Sequence, residues 1–278
     1  MDAKMKEILG SLALNRIYQF DCTEGMKLLP NGTDNIGIGL TVTSPPYDNL
    51  RKYNGYSFDF ETVAKELYRI TKNGGIVVWV VNDATIKGSE SGTSFKQALY
   101  FKQIGFNLHD TMIYAKRNPM PITPSAIVYR PCFEYMFVLS KGKPKTFNPL
   151  MTEAITAGTK VRASTRQKDG SIKEPVGKRE TQKLIRRTNI WEYKVGMNQT
   201  TKDKIAFQHP AIFPEKLAED HILTWTNEDD IVFDPFTGSG TVPKMATLNK
   251  RRWIGFEVSS EYIEIANKRL DNLENNQK

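Results

Sequence analysis

Cysteine is nearly missing from this chain: Cys22 and Cys132 are the only two in 278 residues. They lie far apart with no histidine cluster beside either. That argues against a disulfide framework and a zinc site, so no metal is expected and a reducing cytoplasm is the expected compartment. Long apolar runs are missing too. No stretch approaches the roughly 20 residues a membrane span requires, and Met1 to Leu14 mixes acidic and basic residues, unlike a signal peptide. No internal repeat or low-complexity tract is present. An acidic excess is absent: the formal net charge is +8 and the pI near 9.3. That balance suits an anionic partner, but where the charge lies matters more than its total. What remains is ordinary for a globular protein, 39% hydrophobic and 25% charged. The length allows one large α/β domain with an insertion, or two small domains.

The most informative stretch is Thr43-Ser44-Pro45-Pro46-Tyr47, which closes a short β-rich run from Gly37 to Val42. Two adjacent prolines donate no backbone hydrogen bonds, and each fixes its own φ. Each also pushes the preceding residue to an extended conformation. The segment is therefore stiff and leaves carbonyls free to point at a ligand. A hydroxyl, a fixed carbonyl and an aromatic face follow one another within four residues. Such a set suits a planar base with an exocyclic amino group, offering two acceptors for its N–H bonds and a ring to stack on. A proline-rich turn with a core tyrosine is the alternative for the tetrapeptide alone. Tyr53 and Tyr56 follow closely, as pocket residues or as plain core.

Around this stretch the pattern alternates strand and helix. Asn15 to Phe20 reads as a strand ending at Asp21, Thr23 to Pro30 as a short helix, and Ile36 to Val42 as a buried strand. Asp21 lies where open α/β sheets bind ligands, although an Asp after a strand also serves as a helix cap. Phe58 to Thr71 has helical apolar spacing and is expected to end at Asn73-Gly74-Gly75. The run Ile76 to Val81 reads as a central parallel strand covered on both faces. A helix from Ser94 to Ile104 and strands at Asn107–Tyr114 and Glu134–Ser140 follow, the strands separated by a basic, proline-containing loop. Lys116 and Arg117 in that loop could clamp a phosphate or simply be solvated.

From Lys141 to Lys204 the apolar periodicity fades, and Lys and Arg outnumber Asp and Glu by ten, more than the chain's net charge. Such a segment fits electrostatic attraction to a polyphosphate backbone. The stretches Thr159 to Arg166, with Arg162, and Arg186-Arg187-Thr188-Asn189 carry side chains able to reach base edges. A flexible basic loop without a reading role is the alternative. Asn189 to Tyr193 then reads as a strand, and Pro214 to Leu223 as a helix.

The second informative stretch is Asp230 to Thr241, an apolar strand entering Asp234-Pro235-Phe236-Thr237-Gly238-Ser239-Gly240-Thr241 and a helix from Val242 to Asn249. Glycines let a ligand approach the backbone, and the helix start adds amide donors. Trp253 to Glu257 is the next strand, and its acidic end sits where a nucleotide-binding α/β unit places the carboxylate for ribose hydroxyls. A capping role for Glu257 is the alternative. Ser260 to Leu273 reads as the last helix.

On these two motifs the chain resembles the S-adenosylmethionine-dependent DNA methyltransferases that modify exocyclic amino groups. The resemblance spans nearly the full length apart from the basic insert and the termini. Ser44-Pro45-Pro46-Tyr47 looks like the family's catalytic tetrapeptide, and Asp234 to Thr241 like its cofactor loop. With the catalytic motif first, the order is the permuted one of the β class. The resemblance implies a Rossmann-like α/β fold, with a mostly parallel twisted sheet, helices on both faces and a basic target-recognition insert. Residues 1–140 and 206–278 would form one catalytic domain, and 141–205 the insert. The cofactor would be S-adenosylmethionine, with Asp21 near the adenine and Glu257 near the ribose. Thr43 and the Asp234 loop would lie alongside, and the segment His209 to Lys216, with Phe213, would close over the methionine end. Lys116, Arg117, Arg162, Arg166, Arg186 and Arg187 would contact double-stranded DNA. A cognate restriction endonuclease, a homodimer and a prokaryotic or phage origin also fit the family. Ser as first motif residue goes mostly with N4-cytosine methylation, and Asp or Asn with N6-adenine. N4-cytosine is thus the expected target, with N6-adenine, RNA, or an inactive nucleic-acid-binding module as alternatives. Neither cysteine sits in the Pro-Cys context that C5-cytosine methylation uses, which leaves direct transfer to a flipped-out base.

Overall fold

The computed structural model describes residues 7–46, 59–125, 127–161, 164–174, 177 and 179–276. These form two compact units, residues 1–148 with 189–278, and Pro149–Thr188. The first is built on an eight-stranded sheet. Its strands are β1 (Arg16–Gln19), β2 (Ile38–Thr43), β3 (Thr71–Val81), β4 (Asn107–Lys116), β5 (Phe133–Ser140), β6 (Ile190–Tyr193), β7 (Ile231–Asp234) and β8 (Arg252–Glu257). The spatial order is β6-β4-β5-β3-β2-β7-β8-β1. Only β5 runs against its neighbours; the other pairings are parallel.

Apolar runs place the central strands. Leu40, Val42 and Ile76 through Val81 are almost fully buried, because helices cover both faces of the sheet. Helices α1 (Cys22–Lys27), α2 (Phe60–Ile70) and α3 (Thr93–Gln103) share one core with Val77, Trp79 and Val81. On the other face, α4 (Glu215–Trp225) and α5 (Thr241–Leu248) pack on β2, β3, β7 and β8, with α6 (Ser260–Asn276) against α5 and β1. Burying this much Val, Ile, Leu and Trp, at about 25 cal/mol per Å² of apolar surface, is the main stabilising term.

One boundary differs from the sequence reading. Helix α2 ends before the glycines, when Thr71 turns extended and its N–H donates to the Leu67 carbonyl. Asn73-Gly74-Gly75 instead lies within β3. The β2–β3 pairing jumps from Ile38–Thr71 to Leu40–Ile76, so Lys72 to Gly75 bulge from the ladder. Gly75 is required there, since a Cβ would meet the Lys72 carbonyl oxygen at 2.9 Å and the Gly39 oxygen at 3.0 Å.

Residues Pro149–Thr188 form an antiparallel ribbon. Met151–Glu153 pairs with Leu184–Arg186, Lys160–Val161 with Arg179–Glu180, and Thr165–Arg166 with Ile172–Lys173. A turn closes the tip, where the Gln167 N–H donates to the Ser171 carbonyl at 2.7 Å and Asp169 accepts from the Ser171 N–H and hydroxyl. None of its described residues is buried. After it, Asn189 returns the chain to the sheet at β6, inside the 141–205 stretch that reads as insert from sequence.

Candidate functional site

All seven parallel strands end at one edge of the sheet, and a cavity of about 1100 Å³ opens there. This is the edge at which open α/β sheets hold ligands. Ser44 and Pro46 follow β2 into its wall, and Pro45 is buried behind them. Pro235, Phe236, Thr237, Gly238, Ser239 and Thr241 line it from the turn after β7, and Asp21 and Glu257 from the ends of β1 and β8. Phe213 and His209 approach from the segment before α4, while Asn82, Tyr114, Lys116, Glu134 and Tyr262 complete part of the wall. Tyr47 and Arg162, expected as catalytic and DNA-contacting residues, lie outside the described residues, as do Tyr53 and Tyr56.

Thr43 and Asp234 stand behind this wall. The Thr43 hydroxyl donates to Asp234 Oδ1 at 2.7 Å, and the Phe236 N–H donates to the same oxygen at 3.1 Å. One buried carboxylate thereby ties the end of β2 to the turn after β7. Burial pushes the Asp234 carboxyl up to about 7, and these two hydrogen bonds offset only part of that rise. Thr237 fastens the turn further, through its hydroxyl to the Asp234 carbonyl at 3.0 Å and its N–H to the Phe256 carbonyl at 2.9 Å.

Glycine is needed twice in this turn. Gly238 has φ +50°, and a Cβ on it would lie 2.9 Å from His209 Nε2. Gly240, at φ +79°, caps α5 and leaves no room for a Cβ against Ala266 at 2.8 Å. Glu257 accepts from the Gly238 N–H and the Ser259 N–H, both at 2.9 Å. Its carboxylate is thus fixed at the rim, with burial raising its pKa against those bonds. Asp21 caps α1, accepting from the Thr23 N–H at 2.9 Å, and also lines the cavity. The helix-capping role and a place at the site coexist in one residue.

A buried charge cluster braces the turn from outside the cavity. Arg269 of α6, fully buried, donates to Asp203 at 2.9 Å, to Glu215 at 2.6 Å and to the Ser239 carbonyl at 2.5 Å. Lys244 of α5 reaches Asp203 and Glu215, each at 2.7 Å. Glu215 belongs to the His209 to Lys216 segment, while the site motifs do not contain Asp203, Lys244 or Arg269. The sequence signal was a charge on an apolar stripe, since Arg269 follows Ile265 and Ala266 by four and three residues on the helix.

The basic residues separate. Lys116 is half-buried in the cavity wall, paired with Glu134 at 2.6 Å. Arg117 is exposed, paired with Glu192 at 3.3 Å. Arg166 and Arg186 are exposed on the ribbon, and Arg187 is half-buried there. Cys22 lines the cavity but is no thiolate at neutral pH, because burial and the neighbouring Asp21 push its thiol up to about 12. Among the described residues no cluster of His, Cys, Asp or Glu could hold a metal, and no helix is long and apolar enough to cross a membrane.

Strand-end carboxylates, a glycine turn opening α5 and a cavity of this size define an α/β enzyme that binds a nucleoside-containing cofactor. Known proteins narrow the class. Residues 38–268 match the profile of the N6/N4 methyltransferase family, described as DNA methylase. The orphan methyltransferase M.BamHII of Bacillus amyloliquefaciens is 58% identical over 249 residues, covering 86% of this chain and 92% of that protein. Among solved structures, the cytosine-N4-specific PvuII DNA methyltransferase superposes with a TM-score of 0.65 at 21% identity, covering 91% of this chain and 85% of that one. The M1.HpyAVI–SAM complex gives 0.57 at 22% identity, covering 91% and 98%. The chain belongs to the N6/N4 DNA methylase family, and its mostly parallel sheet is the Rossmann-like methyltransferase fold.

Proposed function

We propose that this DNA methyltransferase transfers a methyl group from S-adenosylmethionine to the exocyclic N4 of cytosine in duplex DNA, at a specific sequence. One observation carries the reading: Ser44 and Pro46 open onto the same cavity as Asp21, Phe236, Gly238 and Glu257. A base entering at Ser44 and a cofactor seated on the glycine turn would share one chamber.

The residues fit that cofactor. Gly238 lines the cavity without a side chain of its own, packed against His209, and Glu257 is held at the rim with lone pairs remaining for ribose hydroxyls. Asp21 stands near the adenine end, and Phe213 over the methionine end. S-adenosylmethionine supplies an electrophilic methyl on a sulfonium. The chain supplies position. Ser44 Oγ and the Pro45 carbonyl accept the two amine hydrogens and aim the nitrogen lone pair. The stiff diproline fixes their spacing, so acceleration comes from orientation and from stabilising positive charge as it develops on nitrogen. Tyr47 stacks on the extruded base. Lys116 and Glu134 form a charged wall beside it, and the basic ribbon, with Arg166, Arg186 and Arg187, reads the DNA. Ser at the first motif position supports cytosine over adenine.

The test is mass spectrometry of nucleosides from mixed-sequence DNA incubated with the protein and labelled S-adenosylmethionine. Labelled N4-methylcytosine is the expected product. Labelled N6-methyladenine would keep the chemistry and overturn the base assignment.

A further inference from the structure

Between β4 and β5 the chain leaves the cavity wall and later returns to it. Met120, Pro121 and Ile122 line the cavity, as do Pro131 and Glu134, but none of the described residues from Thr123 to Arg130 does. At the far point of this excursion three large apolar side chains stand side by side in water. Ile127 is 100% exposed, Val128 62% and Tyr129 98%. Single exposed apolar residues are ordinary, but three in a row at the mouth of a site mark a contact surface.

The composition of the loop says what it meets. Pro119, Pro121, Pro124 and Pro131 fix φ at four positions, so the loop is stiff and loses little entropy on ordering. Arg130 adjoins the tip in sequence, while Arg117 at the base of the loop is paired with Glu192. An apolar and aromatic tip followed at once by a cation matches a duplex, whose interior is stacked rings and whose rim is phosphate. Tyr129 is two residues from Pro131 of the cavity wall, so its backbone stays within about 7 Å of the mouth through which a base must pass. Extruding a base into the cavity opens a gap in the stack, and apolar wedges are how proteins occupy such gaps.

We propose that Ile127, Val128 and Tyr129 enter the duplex in place of the extruded base, with Tyr129 filling the gap in the stack and Arg130 on an adjoining phosphate. The proposal rests on the methyltransferase reading above. It assigns the work of base extrusion to a loop outside both sequence motifs.

The test uses the full chain, wild type and Tyr129→Ala, on duplexes carrying the site mapped on DNA the enzyme has methylated. One duplex is fully paired, and the other has an abasic site opposite the target base. Tyr129→Ala should lose about 10- to 100-fold in methylation of the paired duplex, with S-adenosylmethionine binding unchanged. It should recover to within a few-fold of wild type on the abasic duplex, where extrusion costs little. Equal rates on the paired duplex would overturn the proposal, as would a loss that the abasic site does not rescue. A change in oligomeric state on Tyr129→Ala would overturn it in favour of a contact between copies. Wild type inactive on both duplexes would instead sink the methyltransferase reading itself.

Discussion

Two loops leave neighbouring parallel strands at the same edge of the sheet, yet they are held very differently. The turn after β7 is fixed by hydrogen bonds through Asp234 and Thr237, by the Gly238–Glu257 bond, and by Arg269 on the Ser239 carbonyl. The stretch after β2 gains stiffness from covalent rings, Pro45 and Pro46, and among the described residues it is anchored at Thr43. The difference matches their proposed tasks. A cofactor bound through many backbone contacts needs a turn braced from all sides. A base that comes and goes needs a short rigid edge whose acceptors stay free. The Thr43–Asp234 bond keeps the two in register.

The largest effect should come from breaking the brace of the β7 turn. Arg269→Met leaves the partly buried Asp203 and Glu215 with Lys244 alone. It should cost about 3 kcal/mol of unfolding free energy, the low end for breaking a buried ion pair, because water and Lys244 still reach both carboxylates. Cofactor affinity should fall with it. Urea unfolding and calorimetric titration check both, and unchanged stability would show that the cluster does not hold the turn.

Next in size is the pH response of the joint. Asp234 is raised in the fold from its ordinary value to about 7, so the native state holds a proton the unfolded chain releases. Its contribution to stability is therefore full below about 4 and is lost as pH rises through about 7. Asp234→Asn keeps an acceptor for the Thr43 hydroxyl and the Phe236 N–H but cannot ionise. It should flatten the decline in stability between pH 4 and pH 7 by a few kcal/mol. Denaturant midpoints across that range would decide it, and parallel wild-type and variant profiles would refute the assignment.

The smallest effect should come from the ribbon. Arg166→Ala and Arg186→Ala should each weaken DNA binding and lower the salt slope by about one. Cofactor affinity should stay the same. If either substitution changed cofactor affinity, the division between the cavity and the ribbon would fail.

Legibility in the sequence followed burial. Strands β2, β3, β7 and β8 were readable because burial on both faces leaves uninterrupted apolar runs such as Ile76 to Val81. The two loops were readable because Pro and Gly mark backbone that side chains cannot shape. The ribbon showed only as charge, since strands of two or three exposed residues leave no periodicity. Glu134 and Tyr262 reach the cavity only because β5 and α6 converge there, which no local pattern records, whereas Asn82 follows the carboxyl end of β3. Asn73-Gly74-Gly75 misled because a helix stop and a bulge call for the same residues.

The division of labour between the two loops is tested most directly by Ser44→Ala. Calorimetric titration with S-adenosylmethionine and methyl incorporation into DNA would be measured on the same preparations, beside wild type. Cofactor affinity should match wild type while incorporation falls about 10²- to 10³-fold, the usual cost of one lost transition-state hydrogen bond. Unchanged incorporation, or a fall that tracks lost cofactor affinity, would contradict it.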